Sequence, residues 1–103
     1  MLKTKNSSRG FDVFYDDYVF LSPEGADYLA DMGVALVGID SLSIKQRGSP
    51  DNTPHTLLLS NSIPIIEGLV LSSVEASEYT LCAFPLAFVG IDGSPIRAVL
   101  ISD

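Results

Sequence analysis

The sequence holds one histidine, one cysteine and no tryptophan, and only six of its residues are basic. Each scarcity excludes something. A single cysteine, Cys82, cannot close an internal disulfide, which predicts a reducing compartment. No second histidine exists to activate that thiol, so Cys82 reads as a small buried hydrophobe rather than a nucleophile. Six basic against 13 acidic residues leave a net charge of −7. Nucleic acid and anionic membrane surfaces both require a positive face, so neither is an expected partner. No apolar run approaches the roughly 18–20 residues of a membrane span. The opening segment Met1-Leu2-Lys3-Thr4-Lys5-Asn6 lacks the apolar stretch of a signal peptide. The expectation is a cytoplasmic protein.

What is present is apolar. Hydrophobic residues make up 47% of the 103 residues and charged ones 18%, a balance that excludes disorder. The length suits one small domain. Small domains have much surface to cover, so this apolar content predicts that some of it faces a partner, either a second copy or another part of the protein.

Residues 1–4 read as the tail of a strand and residues 5–10 as a polar loop. Residues 11–21 carry Phe11, Phe14, Tyr15, Tyr18 and Phe20 with aspartates between them. Their spacing fits neither helix nor strand. It predicts an ordered loop whose rings pack beneath it, with a short strand over 18–21. Ser22-Pro23-Glu24 is a helix start, with serine as the cap and proline at the first helical position. The apolar stripe of Ala26, Leu29, Ala30 and Met32, followed by Gly33, predicts a helix over 23–32. Val34 to Ile39 is a continuous apolar run, the pattern of a strand buried on both faces. Helix, glycine and buried strand make an α/β unit. Asp40 and Ser41 follow directly, and polar groups at the carboxyl end of a buried strand often line a site. A turn or cap role accounts for Asp40 equally simply.

Residues 45–54 form the clearest loop in the chain, and they deliver the backbone to His55. Residues 55–61 read as short helical turns with Leu58 and Leu59 inward, and residues 63–66 as a short strand ending at Glu67-Gly68. Residues 79–90 and 96–101 read as two strands joined through a turn at Asp92-Gly93. Pro85 within the first of them implies a bulge or an edge position. The last strand is expected to end at Ser102-Asp103.

His55 and Glu67 are the residues with chemistry. A lone histidine beside apolar residues is more often structural than a ligand. A carboxylate at the end of an apolar strand, however, requires a cation or hydrogen-bond donors. Arg97 is one candidate and a metal ion the other. Imidazole and carboxylate are both good ligands for a divalent metal.

The order of short motifs resembles the metal-dependent cyclase and kynurenine formamidase (arylformamidase-like) family of hydrolases. The resemblance runs through Leu21-Ser22-Pro23-Glu24-Gly25-Ala26, Val37-Gly38-Ile39-Asp40-Ser41-Leu42-Ser43-Ile44, and His55 with Leu57 and Leu58. It continues through Ile65-Ile66-Glu67-Gly68-Leu69, Tyr79, Phe84-Pro85-Leu86 and Gly93-Ser94-Pro95-Ile96-Arg97-Ala98. It implies an α/β fold, a mixed sheet with packed helices, as part of a swivelling β/β/α-type domain. It implies that His55 and Glu67 are metal ligands, for zinc in most members and manganese in some. It implies hydrolysis of amide bonds in small molecules by a metal-activated water. Asp40 and Ser41 are carried as substrate-binding or supporting positions, and no residue is assigned as catalytic.

One departure is large. The family's His-x-Gly-Thr-His-x-Asp segment supplies most of its metal ligands, and a chain with one histidine cannot hold it. At the position of Lys45 many relatives carry an acid. The resemblance therefore covers a C-terminal half, with residues 1–103 as the C-terminal part of a hydrolase domain whose N-terminal metal-binding part is absent. The chain alone is expected to be inactive and the metal can be absent from it. The exposed apolar surface would be covered by homo-oligomerisation or by the missing N-terminal segment. Two other readings are a non-catalytic relative serving as an interaction module, and an unrelated α/β binding domain with Glu67 paired to Arg97.

Overall fold

The computed structural model describes residues 1–102; Asp103, the expected end of the last strand, lies outside the described residues. The chain divides into two units, residues 1–73 and residues 74–103.

The first unit holds both helices. Helix α1 spans Pro23–Asp31, and the Ser22 hydroxyl accepts a hydrogen bond from the Gly25 N–H at 3.1 Å. Gly33 closes it by donating its N–H to the Ala30 carbonyl. These are the start and stop expected from the sequence. Strand β1 (Val37–Gly38) pairs in parallel with β2 (Ile65–Ile66), and Leu2 forms a single parallel bridge to Ile39 on the other side. Helix α2 (Thr53–Ser60) lies between β1 and β2 in sequence, as a parallel connection requires.

Both strands are shorter than the apolar runs predicted. The expected strand over 34–39 shrinks because a ladder needs a neighbour. Val34 instead donates to the Leu29 carbonyl at the end of α1. The expected strand over 18–21 is not formed. Val19 gives its N–H to the Asn6 side chain and Leu21 to the Ile44 carbonyl, so isolated bonds replace a ladder. The segment expected as a loop after Thr4 winds into one 3-10 turn, Lys5–Ser8.

Ala26, Val37, Ile39, Ile44, Leu58 and Ile63 form the buried core, with Leu2, Leu21, Leu29 and Leu57 packed around it. At β1 the packing is close: a Cβ on Gly38 would overlap Met1 Sδ and Leu69 Cδ1, and both side-chain ends would have to move aside. The aromatic segment is ordered, as expected. Phe14 and Tyr18 meet edge to face with centroids 4.8 Å apart, and Arg47 lies 4.7 Å over the Phe14 ring.

The second unit is a hairpin. Strand β3 (Thr80–Pro85) pairs antiparallel with β4 (Ile96–Ile101), in a register running from Thr80 opposite Ile101 to Pro85 opposite Ile96. Pro85 takes the terminal pair, where a missing N–H matters least. Alternation puts Cys82, Phe84, Val99 and Ile101 on one face and Leu81, Ala83, Ala98 and Leu100 on the other. Cys82 is half-buried. Phe84, Leu86, Phe88, Val89 and Ile91 are exposed. Parallel and antiparallel pairing thus both occur, in two separate small sheets. No helix among the described residues is long and apolar enough to cross a membrane.

Candidate metal centre

His55 sits on the first turn of α2. Three residues on, Leu58 is fully buried in the core, which fixes the rotation of the helix. Pro54, also buried, anchors the helix start. Glu67 follows the buried Ile66 at the end of β2. Gly68 then takes φ +69°, a left-handed conformation that costs glycine nothing and other residues about 1–2 kcal/mol. That turn brings the Gly68 N–H onto the Ser41 carbonyl at 2.7 Å. The chain therefore leaves β2 with Glu67 held against the segment that follows β1.

The two side chains meet. His55 Nε2 lies 3.4 Å from Glu67 Oε1, with the side chains 36% and 34% exposed. Glu67 Oε1 also accepts the Ile44 N–H at 2.7 Å. The carboxylate at the strand end thus has a backbone donor on one side and an imidazole on the other, and the site remains open to solvent. A 3.4 Å separation is longer than the usual N–H···O bond of about 2.7–3.2 Å. It matches two ligands of one ion: bonds of about 2.0–2.2 Å at a tetrahedral angle put two donor atoms about 3.4 Å apart. A nitrogen and a carboxylate oxygen suit zinc or manganese. Among the described residues no group of three or more His, Cys, Asp or Glu is placed to hold a metal, so the pair stands as two ligating residues.

Asp40 and Ser41 bond neither His55 nor the Glu67 side chain. Asp40 is completely buried, and its carboxylate is fully subscribed. It accepts the Thr4 N–H (2.6 Å) and hydroxyl (2.9 Å), the Ser7 N–H (3.0 Å) and hydroxyl, and the Asn6 amide (3.4 Å). Burial alone would raise its pKa, but the bonds from Ser7, Thr4 and Asn6 together outweigh burial and hold it below the usual carboxylate range. Such a carboxylate has no acceptor capacity left for a substrate. It braces the 3-10 turn, whose cap is Thr4, and ties the N-terminal segment to the end of β1. Ser41 acts through its carbonyl, which holds Gly68, while its hydroxyl donates to Ser43. Both residues also line a shallow, open pocket walled by Phe11, Phe14, Tyr15 and Tyr18.

Ile44, which sequence reasoning did not assign to the site, belongs to it, and Tyr18 braces the residues that follow Ile44. The Ile44 N–H orients Glu67, and the Tyr18 hydroxyl donates to the Lys45 carbonyl and accepts the Arg47 N–H at 2.7 Å. A backbone donor leaves no signature in side-chain chemistry. Tyr18 could have been suspected only as one ring among several.

The fold is that of cyclase-type metal-dependent hydrolases. A potential metal-dependent hydrolase with cyclase activity superimposes with a TM-score of 0.87 at 41% identity, over 95% of this chain and 47% of that one. A predicted metal-dependent hydrolase from Bacillus stearothermophilus gives 0.86 at 41% identity, over 95% and 46%. In sequence the chain is a homologue of proteins named kynurenine formamidase. The Bordetella avium (strain 197N) protein is 44% identical over 85 residues, covering 82% of this chain and 41% of its own length. The Salinibacter ruber (strain DSM 13855 / M31) protein is 41% identical over 100 residues, covering 97% and 47%. The chain spans about half the length of the curated relatives it matches. No family model matches it.

Proposed function

We propose that this chain forms part of a metal-dependent hydrolase of small-molecule amide bonds, formamidase-like in substrate class, and that it contributes His55 and Glu67 as two ligands of a divalent cation. The observation that carries the reading is the 3.4 Å separation of Nε2 and Oε1, between residues twelve positions apart on different elements. The relatives named kynurenine formamidase and the neighbours described as metal-dependent hydrolases supply the reaction class. Zinc suits the pair best and manganese is the alternative.

A bound divalent cation supplies Lewis acidity, which lowers the pKa of a water and polarises an amide carbonyl. The rest is done by the chain. Glu67 is oriented because the Ile44 N–H holds Oε1. His55 is aimed by a helix whose buried face, Leu58, cannot rotate without opening the core. Asp40 ties the N-terminal segment to the end of β1, and its role is positional. Catalytic metal sites use three protein ligands and an open position. In this reading the remaining ligands come from a polypeptide segment outside this sequence, residues 1–103 serving as the C-terminal portion of the domain. The exposed apolar residues of the hairpin fit a surface covered in the assembled protein, by that segment or by a second copy.

The test is reconstitution. The chain is co-expressed with a segment corresponding to the rest of the relatives' length, and zinc-dependent hydrolysis of a formanilide is followed. Activity lost in His55→Ala supports the proposal. A complex that retains stoichiometric zinc and full activity in His55→Ala refutes it. The second reading, a non-catalytic interaction module, rests on the pair being only two ligating residues. An assembled complex that neither retains metal nor hydrolyses amides would favour it.

A further inference from the structure

The loop between Ile44 and α2 is closed by one side chain. Lys45 Nζ donates to the Ser49 carbonyl at 2.7 Å, the Asp51 carbonyl at 3.3 Å and the Asn52 side-chain oxygen at 2.6 Å. An ammonium has three N–H donors, and these three oxygens use them all. Asn52 is the residue before α2. Asparagine there ordinarily caps the helix with its side chain, yet Asn52 makes no such bond. Its oxygen goes to Lys45 instead. A cation beside a helix N-terminus also has the wrong sign for the helix dipole. Neither feature favours α2 by itself. Both make sense if the loop must be held at a fixed span.

The span matters because of what lies at its two ends. Ile44, immediately before Lys45, holds Glu67 Oε1 through its N–H at 2.7 Å. The helix that begins after Asn52 carries His55 on its first turn. The backbone donor for one member of the pair and the ammonium that pins the helix of the other are consecutive residues. We infer that Lys45 is a positioning residue that sets the separation of His55 and Glu67 by tying the start of α2 to the Glu67 anchor. The inference deepens the metal-pair reading, but its geometry is testable without metal.

The experiment is NMR on the metal-free chain. Short-range contacts between the His55 ring protons and the Glu67 side chain are recorded, with methyl contacts among Ile39, Leu58 and Ile63 as the control for the core. Lys45→Met should lose the His55–Glu67 contact and keep the core contacts, while Lys45→Arg should retain both. Asn52→Ala removes the same bond from the other side without deleting a capping bond, and it should repeat the loss; it decides the matter if Lys45→Met does not fold. With zinc added, Lys45→Met should bind about tenfold more weakly, the scale of losing a partner that orients a ligand. Persistence of the contact in both Lys45→Met and Asn52→Ala overturns the inference. So does tighter zinc binding in Lys45→Met, which would mean that the ammonium acts only by charge repulsion. Absence of the contact in the unaltered chain would overturn the pair itself, a different failure from loss of the positioning role.

Discussion

Replacing Asp40 by asparagine tests a buried carboxylate that accepts five hydrogen bonds. The Oδ2 side of the carboxylate faces the Thr4 N–H, the Ser7 N–H and the Ser7 hydroxyl, while the Oδ1 side faces the Thr4 hydroxyl and the Asn6 amide. An asparagine would keep its oxygen toward the three donors and turn its NH2 toward the other two. The Thr4 hydroxyl can rotate to accept, but the Asn6 amide then faces another donor. The change also converts charge-assisted bonds into neutral ones, each worth about half as much. One lost bond and three weakened ones predict a loss of about 2–3 kcal/mol. Denaturant unfolding followed by tyrosine fluorescence and circular dichroism would measure it. The pH dependence gives a second check. The folded carboxyl has a depressed pKa, so its contribution is fully present above the unfolded value and is lost as pH falls through the folded value. The gap between wild type and Asp40→Asn should be largest near neutrality and close toward the acid side, as the native carboxyl becomes protonated. A loss below about 0.5 kcal/mol at neutral pH, the scale of an ordinary surface change, or a gap that widens in acid, would refute this account of Asp40.

Other expectations concern local geometry. Gly68→Ala should lose about 1–2 kcal/mol, because the residue holds φ +69°; the same denaturation assay reads it, and an unchanged midpoint would contradict the turn that places Glu67. Ser22→Ala should cost about 1 kcal/mol through loss of the cap on the Gly25 N–H, with Ser22→Asp recovering most of it; helical ellipticity and unfolding midpoint report both.

The parts of this structure that were legible in the sequence are those with local causes. Helix α1 was readable because Ser22, Pro23 and Gly33 mark its ends, and β4 because a short apolar run bounded by Pro95 leaves few other choices. The shortened β1 and the missing strand over 18–21 were not readable, because a ladder depends on a partner elsewhere. Leu2 gives β1 one bridge, and Asn6 takes the Val19 N–H. The Asp40 knot joins residues more than thirty positions apart, and nothing near Asp40 announces Thr4, Asn6 or Ser7 as its donors. Of the site, His55 and Glu67 stood out by residue type and by resemblance to a family. Their meeting depends on the Lys45 loop, the core position of Leu58 and the Gly68 turn, which act together only in three dimensions. The Ile44 donor, belonging to the backbone, had no sequence signal at all.

The central claim is that one imidazole and one carboxylate grip the same cation, and paramagnetic broadening tests it even where affinity is low. Manganese(II) is titrated into the isotope-labelled chain, and losses of signal are mapped. The account predicts that His55 and Glu67 broaden together at the lowest concentrations, and that His55→Ala protects Glu67 while Glu67→Gln protects His55. Broadening that begins among the exposed aspartates and leaves His55 sharp, or that reaches one member of the pair regardless of the other, would contradict it.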